Sequence, residues 1–528
     1  MLALLWLAGC ASLPQDVARP VSTAWQDPAQ TALGQQVRSL ATAAGTRRDS
    51  GFKLLGQAER AYGGRLALID AAQKTLDLQY YAIHADSSTE LLMAHLRDAA
   101  ARGVRVRILL DDFNTVGPDA QVLQLAFEPH IEVRLFNPLP GSRSSLFLRI
   151  LGSLDNFDSI QHRMHNKVFI ADNAMAITGG RNLGDAYFGQ AQGSNFVDLD
   201  VLAAGGIVRQ LSASFDGFWN NDLAYPVQSL ISPEQLAALK AKAGPAATHG
   251  PSAAGPATAS GAPAPAGAAS ATATATPALS AADSINLARL TLTWAPAAML
   301  ADKPAKLDAE EDAASQEAQD TVVDGLLALM GQVRRDLLIV SPYFVPGAQM
   351  MPVFADMRRR GVRVRVLTNS LASNDAPLAH VGYARYRKAL LEMGVELYEM
   401  RTEQSGRRSA FGSRGSMPGS RASLHAKVLV MDARLTVVGS MNLDLRSQLQ
   451  NSEVALLIRS ASLAQTTLQE IEPAMRTGTY KVELAGGALV WRAPQGSGLP
   501  DSTSEPDVSA GLKFLLMLAA PFAPDEML

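Results

Sequence analysis

Apolar positions along this chain follow two alternating spacings. The segment KTLDLQYYAI (74–83) has the apolar and β-branched content of a strand. STELLMAHLRDAAARG (88–103) places its apolar residues three and four apart, as one face of a helix requires, with Ser and Thr able to cap its start and Gly103 able to stop it. GVRVRILLDD (103–112) is strand-like again, and this β-α-β rhythm predicts an α/β layer architecture. The same unit returns as DLLIVSPYFV (336–345), a helix through MMPVFADMRRRG (350–361), and GVRVRVLTNS (361–370). The two GVRVR segments are near copies 258 residues apart, and a duplicated domain is the simplest account.

Three stretches fall outside the repeat. Residues up to about 50 read as a polar connector with a short helix. Residues 244–277 are dominated by Ala, Pro, Gly, Ser and Thr, which bury too little apolar surface to offset their ordering entropy, so they read as a disordered linker. The basic, Gly/Ser-rich stretch 403–423 reads as a long solvated loop or a mobile lid over a site. The chain has 528 residues, 47% apolar and 18% charged, which allows sizeable cores and excludes global disorder. A net charge of −3 gives no sign of the basic surface of a nucleic-acid binder.

Cys10 is the single cysteine, so neither an intramolecular disulfide nor a cysteine-based metal cluster can form. It closes the apolar run LALLWLAGC, and Leu7-Ala8-Gly9-Cys10 resembles the bacterial lipobox, although no Lys or Arg precedes Arg19. That resemblance implies a signal over residues 1–10, lipidation of Cys10, and a membrane-anchored lipoprotein facing the periplasm, on the inner or the outer membrane. Two or more acyl chains would make such a tether stable.

The chemistry lies in a second repeated feature. Residues 165–182 read HNKVFIADNAMAITGGRN and residues 425–442 read HAKVLVMDARLTVVGSMN, with His, Lys, Asp, Gly and Asn at the same five offsets, 260 residues apart. The chain holds only eight histidines, so two of them opening one five-point pattern is a specific signal. Alternation along a strand puts His165 with Lys167, and His425 with Lys427, on one face. Asp172 and Asp432 fall at an odd spacing, at what reads as a hairpin turn, and are expected to be structural supports. A phosphodiester displacement needs a nucleophile, a proton donor for the leaving alkoxide and stabilisation of charge on the equatorial oxygens, and two such segments supply all three. An acidic partner should hold each imidazole in its productive tautomer; Asp198 or Asp200 is available downstream of the first segment and Glu453 downstream of the second.

Both segments resemble the HKD signature of the phospholipase D superfamily. The resemblance covers roughly residues 50–235 and 285–480, leaving 481–528 as a C-terminal tail. It implies two tandem domains, each a mixed β-sheet flanked by helices, packed with pseudo-twofold symmetry around one active site. It further implies His165 as nucleophile, His425 as acid, and Lys167, Lys427, Asn182 and Asn442 as the cradle for the phosphoryl oxygens, with no cofactor and no metal required. The sequence itself is symmetric between the two histidines.

Substrate is not set by the motif, since the superfamily includes phospholipases, phosphatidyltransferases and nucleases. GGRN followed by LGDAYF, FNPLP (136–140), SPYFVPG (341–347) and TNSLASNDAPLAHVGYARYRKALL (368–391) resemble the C-type branch of bacterial cardiolipin synthases. That resemblance implies phosphatidyl transfer to phosphatidylglycerol at a membrane surface, with phosphatidylethanolamine as a further candidate substrate and no nucleic acid expected. The apolar SSLFLRILG (144–152) and the C-terminal LKFLLMLAAPF suit such a surface, although packed core is the commoner fate of such runs. Arg181, after the glycines, reads equally as a headgroup ligand or a surface salt bridge. His380 and Tyr383 are explained almost as well by an ordinary amphipathic helix as by the site. The competing functions are phospholipid hydrolysis, a nuclease, and a catalytically silent lipid-binding scaffold.

Overall fold

The computed structural model describes residues 13–46, 49–140, 160–231, 235, 285–308, 321–403 and 421–519. Cys10 with its signal, the stretch 144–152, the linker 244–277 and most of the loop 403–423 lie outside the described residues.

The first half supplies β1 (Ser50–Leu55), β2 (Thr75–Tyr80), β3 (Arg105–Asp111), β4 (Ile131–Phe136), β5 (Arg163–Met164), β6 (Val168–Ala171), β7 (Met175–Gly179), β8 (Ser194–Val197), β9 (Asp200–Ala204), β10 (Ala224–Pro226) and β11 (Thr293–Ala295). The second supplies β12 (Ala297–Ala301), β13 (Asp336–Val340), β14 (Arg363–Asn369), β15 (Glu396–Met400), β16 (Arg421–Leu424), β17 (Val428–Met431), β18 (Leu435–Gly439), β19 (Asn451–Ser452), β20 (Val454–Arg459), β21 (Thr479–Ala485) and β22 (Ala488–Arg492). The principal helices are α1 (Ala32–Ala43), α2 (Ala58–Ala71), α3 (Ser87–Ala101), α4 (Gly206–Trp219), α5 (Val322–Met330), α6 (Gly347–Arg359), α7 (Pro377–Glu392), α8 (Leu445–Leu449), α9 (Ala461–Gly478) and α10 (Ala510–Ala519).

Two nine-stranded mixed sheets result, ordered β10-β4-β3-β2-β6-β7-β9-β1-β11 and β12-β20-β18-β17-β13-β14-β15-β21-β22. In each, three strands run parallel (β2, β3, β4; β13, β14, β15), and the hairpin that follows the His-Lys segment adds antiparallel to the first of them. The duplication seen in the sequence is therefore a duplication of topology. The parallel pair β2–β3 requires a crossover, and α3 provides it, burying Leu92, Met93, Leu96 and Ala99. Its N-cap is Asp86, two positions ahead of Ser88, and Thr89 takes part as the third residue of a capping box. Gly103 ends it at φ +89°, and Gly361 does the same after α6 at φ +80°.

Three apolar clusters stack across the molecule. One lies between the first sheet and α1, α2 and α3, and another between the second sheet and α5, α6 and α7. The third is shared: α4 (Ile207, Leu211, Phe215, Trp219) and α9 (Leu463, Ile471, Met475) fill the space between the two sheets, against Val168 and Val201 on one side and Val340 and Val428 on the other. The halves thus share a core.

Two boundaries differ from the sequence expectation. The sequence places residues from 285 onward in the second domain, yet β11 pairs antiparallel with β1, and Leu290 belongs to the first cluster. The chain changes sheets at Pro296, where β12 leaves to pair with β20. The tail expected from 481 continues the second sheet instead: β21 pairs with β15, β22 pairs with β21, and the buried Trp491 donates its indole N–H to Glu399 at 2.8 Å. Paired backbone, rather than the end of the repeat, sets both limits.

Candidate active site

Two short parallel ladders cross between the halves where the His-Lys segments begin. β5 pairs with β19, Met164 opposite Ser452, and β16 pairs with β8, Leu424 opposite Val197. One step further along each ladder stands a histidine opposite an acid. His165 N–H donates to the Ser452 carbonyl at 3.0 Å, and His425 N–H to the Val197 carbonyl at 2.8 Å. The His165 Nδ1 then lies 3.0 Å from both carboxylate oxygens of Glu453, and the His425 Nδ1 2.8 Å from Asp198 Oδ2. Each imidazole therefore takes its acid from the other half, and Nε2 is the nitrogen left for chemistry. Sequence order suggests same-half pairing, but register across a parallel ladder decides the partner.

Asp200, the other candidate beside Asp198, faces elsewhere. It forms ion pairs with Arg65 at 2.9 Å and Arg181 at 3.4 Å, all three side chains being buried. Arg181 is neither a headgroup ligand nor a surface salt bridge: it is fully buried and donates to the carbonyls of Leu55, Gly56, Tyr187 and Asp198. It holds the loop beneath the Asp198–His425 pair. His380 and Tyr383 lie on α7, where His380 contacts Glu505 and Arg387 rather than the two histidines.

Lys167 Nζ donates to the His165 carbonyl at 2.7 Å and Lys427 Nζ to the His425 carbonyl at 2.6 Å, so each cation folds back beside its own imidazole. Asn182 shares its side chain between the Ala82 N–H (3.3 Å) and the Tyr187 hydroxyl (3.0 Å). Asn442 is buried, and its Oδ1 has no hydrogen-bond partner among the described residues. Asp172 and Asp432 sit in the turns, at φ +53° and +52°. Asp172 accepts the backbone N–H groups of Gln73, Lys74 and Thr75, and Asp432 those of Arg334, Arg335 and Asp336. They clamp each hairpin to the start of the neighbouring parallel strand, away from the imidazoles.

Burial and like charge make this site hungry for an anion. His165 is held well below the ordinary imidazole range by burial first, then by Lys167, Lys427, His425 and Arg446. His425 is lowered as well, by burial and Lys427, but Asp198 and Asp375 oppose the shift. Burial pushes both lysines down, Lys167 the further. Glu453 is pushed up to about 7 by burial, against the pull of Lys167 and the hydroxyls of Ser440 (2.5 Å) and Ser447 (2.8 Å). Asp198 is buried too, yet its bond to His425 and the charges of His425, Arg181 and Lys427 bring it below the ordinary carboxylate range. A phosphodiester bound between the lysines would relieve the repulsion among all four basic groups.

Several site residues lie outside the two motifs. Tyr81 stands edge-on to His165 with centroids 5.1 Å apart, and Tyr187 and Phe196 flank His425 at 5.3 and 5.0 Å. Tyr343 donates its hydroxyl to Asp375 at 2.9 Å, on the His425 side. Ser440 is visible in the sequence as the Gly-Ser pair of the motif; Ser447, supplied by α8, can be found only by folding the chain.

The family described as "Cardiolipin synthase, PLD-like domain" matches twice, over residues 66–219 and 326–475, once in each half. Cardiolipin synthase C of Escherichia coli is 38% identical over 411 residues, covering 77% of this chain and 80% of that protein. An uncharacterized protein of Helicobacter pylori is 30% identical over 458 residues, covering 85% of this chain and 84% of its own length. In three dimensions the chain is similar to the crystal structure of phosphatidylserine synthase from Haemophilus influenzae, with a TM-score of 0.55, 12% identity, and coverage of 94% of this chain and 98% of that one; this likeness concerns the fold.

Proposed function

This chain belongs to the phospholipase D-like cardiolipin synthase family, and from that premise we propose that it transfers a phosphatidyl group onto phosphatidylglycerol through a phosphohistidine, using His165 and His425. The observation that carries the reading is the pair of reciprocal His–acid contacts beside two lysines. In this reading each carboxylate fixes the tautomer of its imidazole, and the two imidazoles serve one phosphoryl site.

In the first step the His165 Nε2 attacks phosphorus, the bond from phosphorus to the headgroup oxygen breaks, and His425 gives its Nε2 proton to the leaving alkoxide. In the second step a hydroxyl of phosphatidylglycerol loses its proton to His425 and attacks phosphorus, and the phosphorus–nitrogen bond breaks to release cardiolipin. The environments of the histidines support this division. His165, surrounded by cations, favours the neutral nucleophilic form, while Asp198 and Asp375 favour a proton on His425. In this reading Lys167, Lys427 and the side-chain amide N–H groups of Asn182 and Asn442 donate to the phosphoryl oxygens, Asn182 also donating to the Tyr187 hydroxyl at 3.0 Å. Among the described residues no helix is long and apolar enough to cross a membrane. A lipid tether at Cys10 would give the enzyme access to its substrates from the periplasmic face.

The test is incubation of the purified protein with vesicles of phosphatidylglycerol and phosphatidylethanolamine, with His165→Ala as control and lipid products identified by mass. Cardiolipin from the parent alone supports the transferase. Phosphatidic acid without cardiolipin replaces it with a hydrolase, and unchanged lipids overturn both.

A further inference from the structure

The helix α10 presents an apolar face to solvent. Phe514, Leu515, Met517 and Leu518 are 59%, 61%, 62% and 53% exposed, whereas Leu516 among them is buried. Spacings of three and four put the exposed side chains together along one side of the helix. Elsewhere among the described residues, large exposed hydrophobics occur singly, at Val21, Leu91, Leu378, Leu449 and Leu499. Single ones are ordinary on a soluble surface, while a contiguous apolar face marks an interaction site.

This face is held in place. α10 packs against α7. The segment leading to it is fastened by Glu505, which pairs with Arg387 at 2.7 Å and with His380 at 3.2 Å, both buried on α7, and by Asp507, which accepts the Tyr480 hydroxyl at 3.0 Å. α7 in turn begins at an exposed edge of the site, its rim. Two residues before it, the exposed Asp375 accepts the Tyr343 hydroxyl, and its charge reaches His425, Lys427 and Tyr187. Leu378, exposed in the first turn of α7, extends apolar surface towards that rim. At 1.5 Å per residue, α7 is about 24 Å long, so the place where α10 packs on it lies within about that distance of the rim along the helix axis.

We propose that α10 is a docking element that lies in the boundary between headgroups and acyl chains of a phospholipid leaflet and keeps the rim of the site at the membrane. Its 10 described residues are too few to span a bilayer, and its one cation, Lys513, lies beside the apolar face. A bilayer is favoured over a second protein copy because the face is tied through α7 to the site that would take its substrate from lipid; in this the inference rests on the phosphatidyl-transfer reading.

The test uses the full chain with Cys10→Ser, carrying an environment-sensitive fluorophore on Leu515→Cys or, as a control, on Asp98→Cys, an exposed position on α3. With vesicles of phosphatidylglycerol and phosphatidylethanolamine, emission at position 515 should shift to the blue and be quenched by acyl-brominated lipid, while position 98 stays unchanged. No shift at 515, or equal shifts at both positions, overturns the proposal. A shift without vesicles that grows with protein concentration assigns the face to a second copy and also overturns it. In the second arm, Phe514→Glu/Leu518→Glu should lose about tenfold in turnover of vesicle lipid and keep parental turnover of short-chain phosphatidylglycerol below its micelle threshold. Equal loss on both substrates counts against docking. If the parent turns over neither lipid, the phosphatidyl-transfer reading fails, and the fluorophore alone decides the docking.

Discussion

Gly180 and Ser440 occupy equivalent places in the two motifs, and the difference between them matches the acids they face. A Cβ on Gly180 would collide with the Asp198 carboxylate, so the shorter acid is seated directly against the glycine. In the other half, the Ser440 hydroxyl donates to Glu453 at 2.5 Å and also receives the Val454 N–H. Gly180→Ala should displace the Asp198 carboxylate from His425 and lower kcat by about 10- to 100-fold with little change in fold, checked by kinetics beside a circular-dichroism spectrum. Glu453 gives a pH prediction. Its carboxyl is raised to about 7, so below that pH it is largely protonated and can no longer accept the Nδ1–H that keeps His165 Nε2 unprotonated. The Glu453-dependent limb of the pH profile should therefore rise as pH passes upward through about 7, against the falling limb set by loss of the proton from His425, whose pKa burial and Lys427 lower. Glu453→Gln should abolish this limb and lower kcat by about 100-fold or more, as loss of an imidazole-orienting carboxylate does; an unchanged pH profile in the variant would remove Glu453 from the role.

At the scale of elements, what can be read in the sequence is local and repeated. The β-α-β units, the two His-Lys segments and the turn positions of Asp172 and Asp432 each depend on residues within a few positions of one another. The cross-half ladders do not show. β19 and β5 are two residues long, and nothing in Asn451–Ser452 announces that it will lie beside Arg163–Met164. Arg181 misleads for a related reason: a lone arginine after two glycines looks exposed until its carbonyl partners are folded around it. These elements give two stability predictions. Asp172→Ala leaves three backbone N–H groups without their acceptor and should cost about 2–4 kcal/mol, read as a lower denaturation midpoint, with kcat of the remaining folded protein near the parent's. Arg181→Met leaves four buried carbonyls without their donor and Asp200 with Arg65 as its remaining ion pair, and should cost about 3–5 kcal/mol. Were Arg181 a headgroup ligand, the substitution would raise KM at unchanged stability.

For the whole molecule, duplication has not produced two independent domains. Each histidine depends on an acid and a backbone carbonyl from the opposite half, the cluster around α4 and α9 is common to both sheets, and the chain passes from the first sheet to the second at Pro296. A cut within residues 244–277 falls before β11, so the downstream fragment retains a strand that pairs with β1 of the upstream one. A protease site placed in that stretch and cleaved after folding should leave the fragments associated under native conditions, with cardiolipin synthesis within about twofold of the uncut chain, because neither dyad nor shared core is interrupted. Residues 1–243 produced alone should be inactive, lacking His425, Lys427, Glu453, β11 and the second half's share of the core around α4 and α9. Native mass and lipid product, measured on cut and uncut protein together, check both parts. Fragments that separate on cutting would mean that covalent continuity, rather than the shared core and the crossed ladders, holds the two sheets around the site.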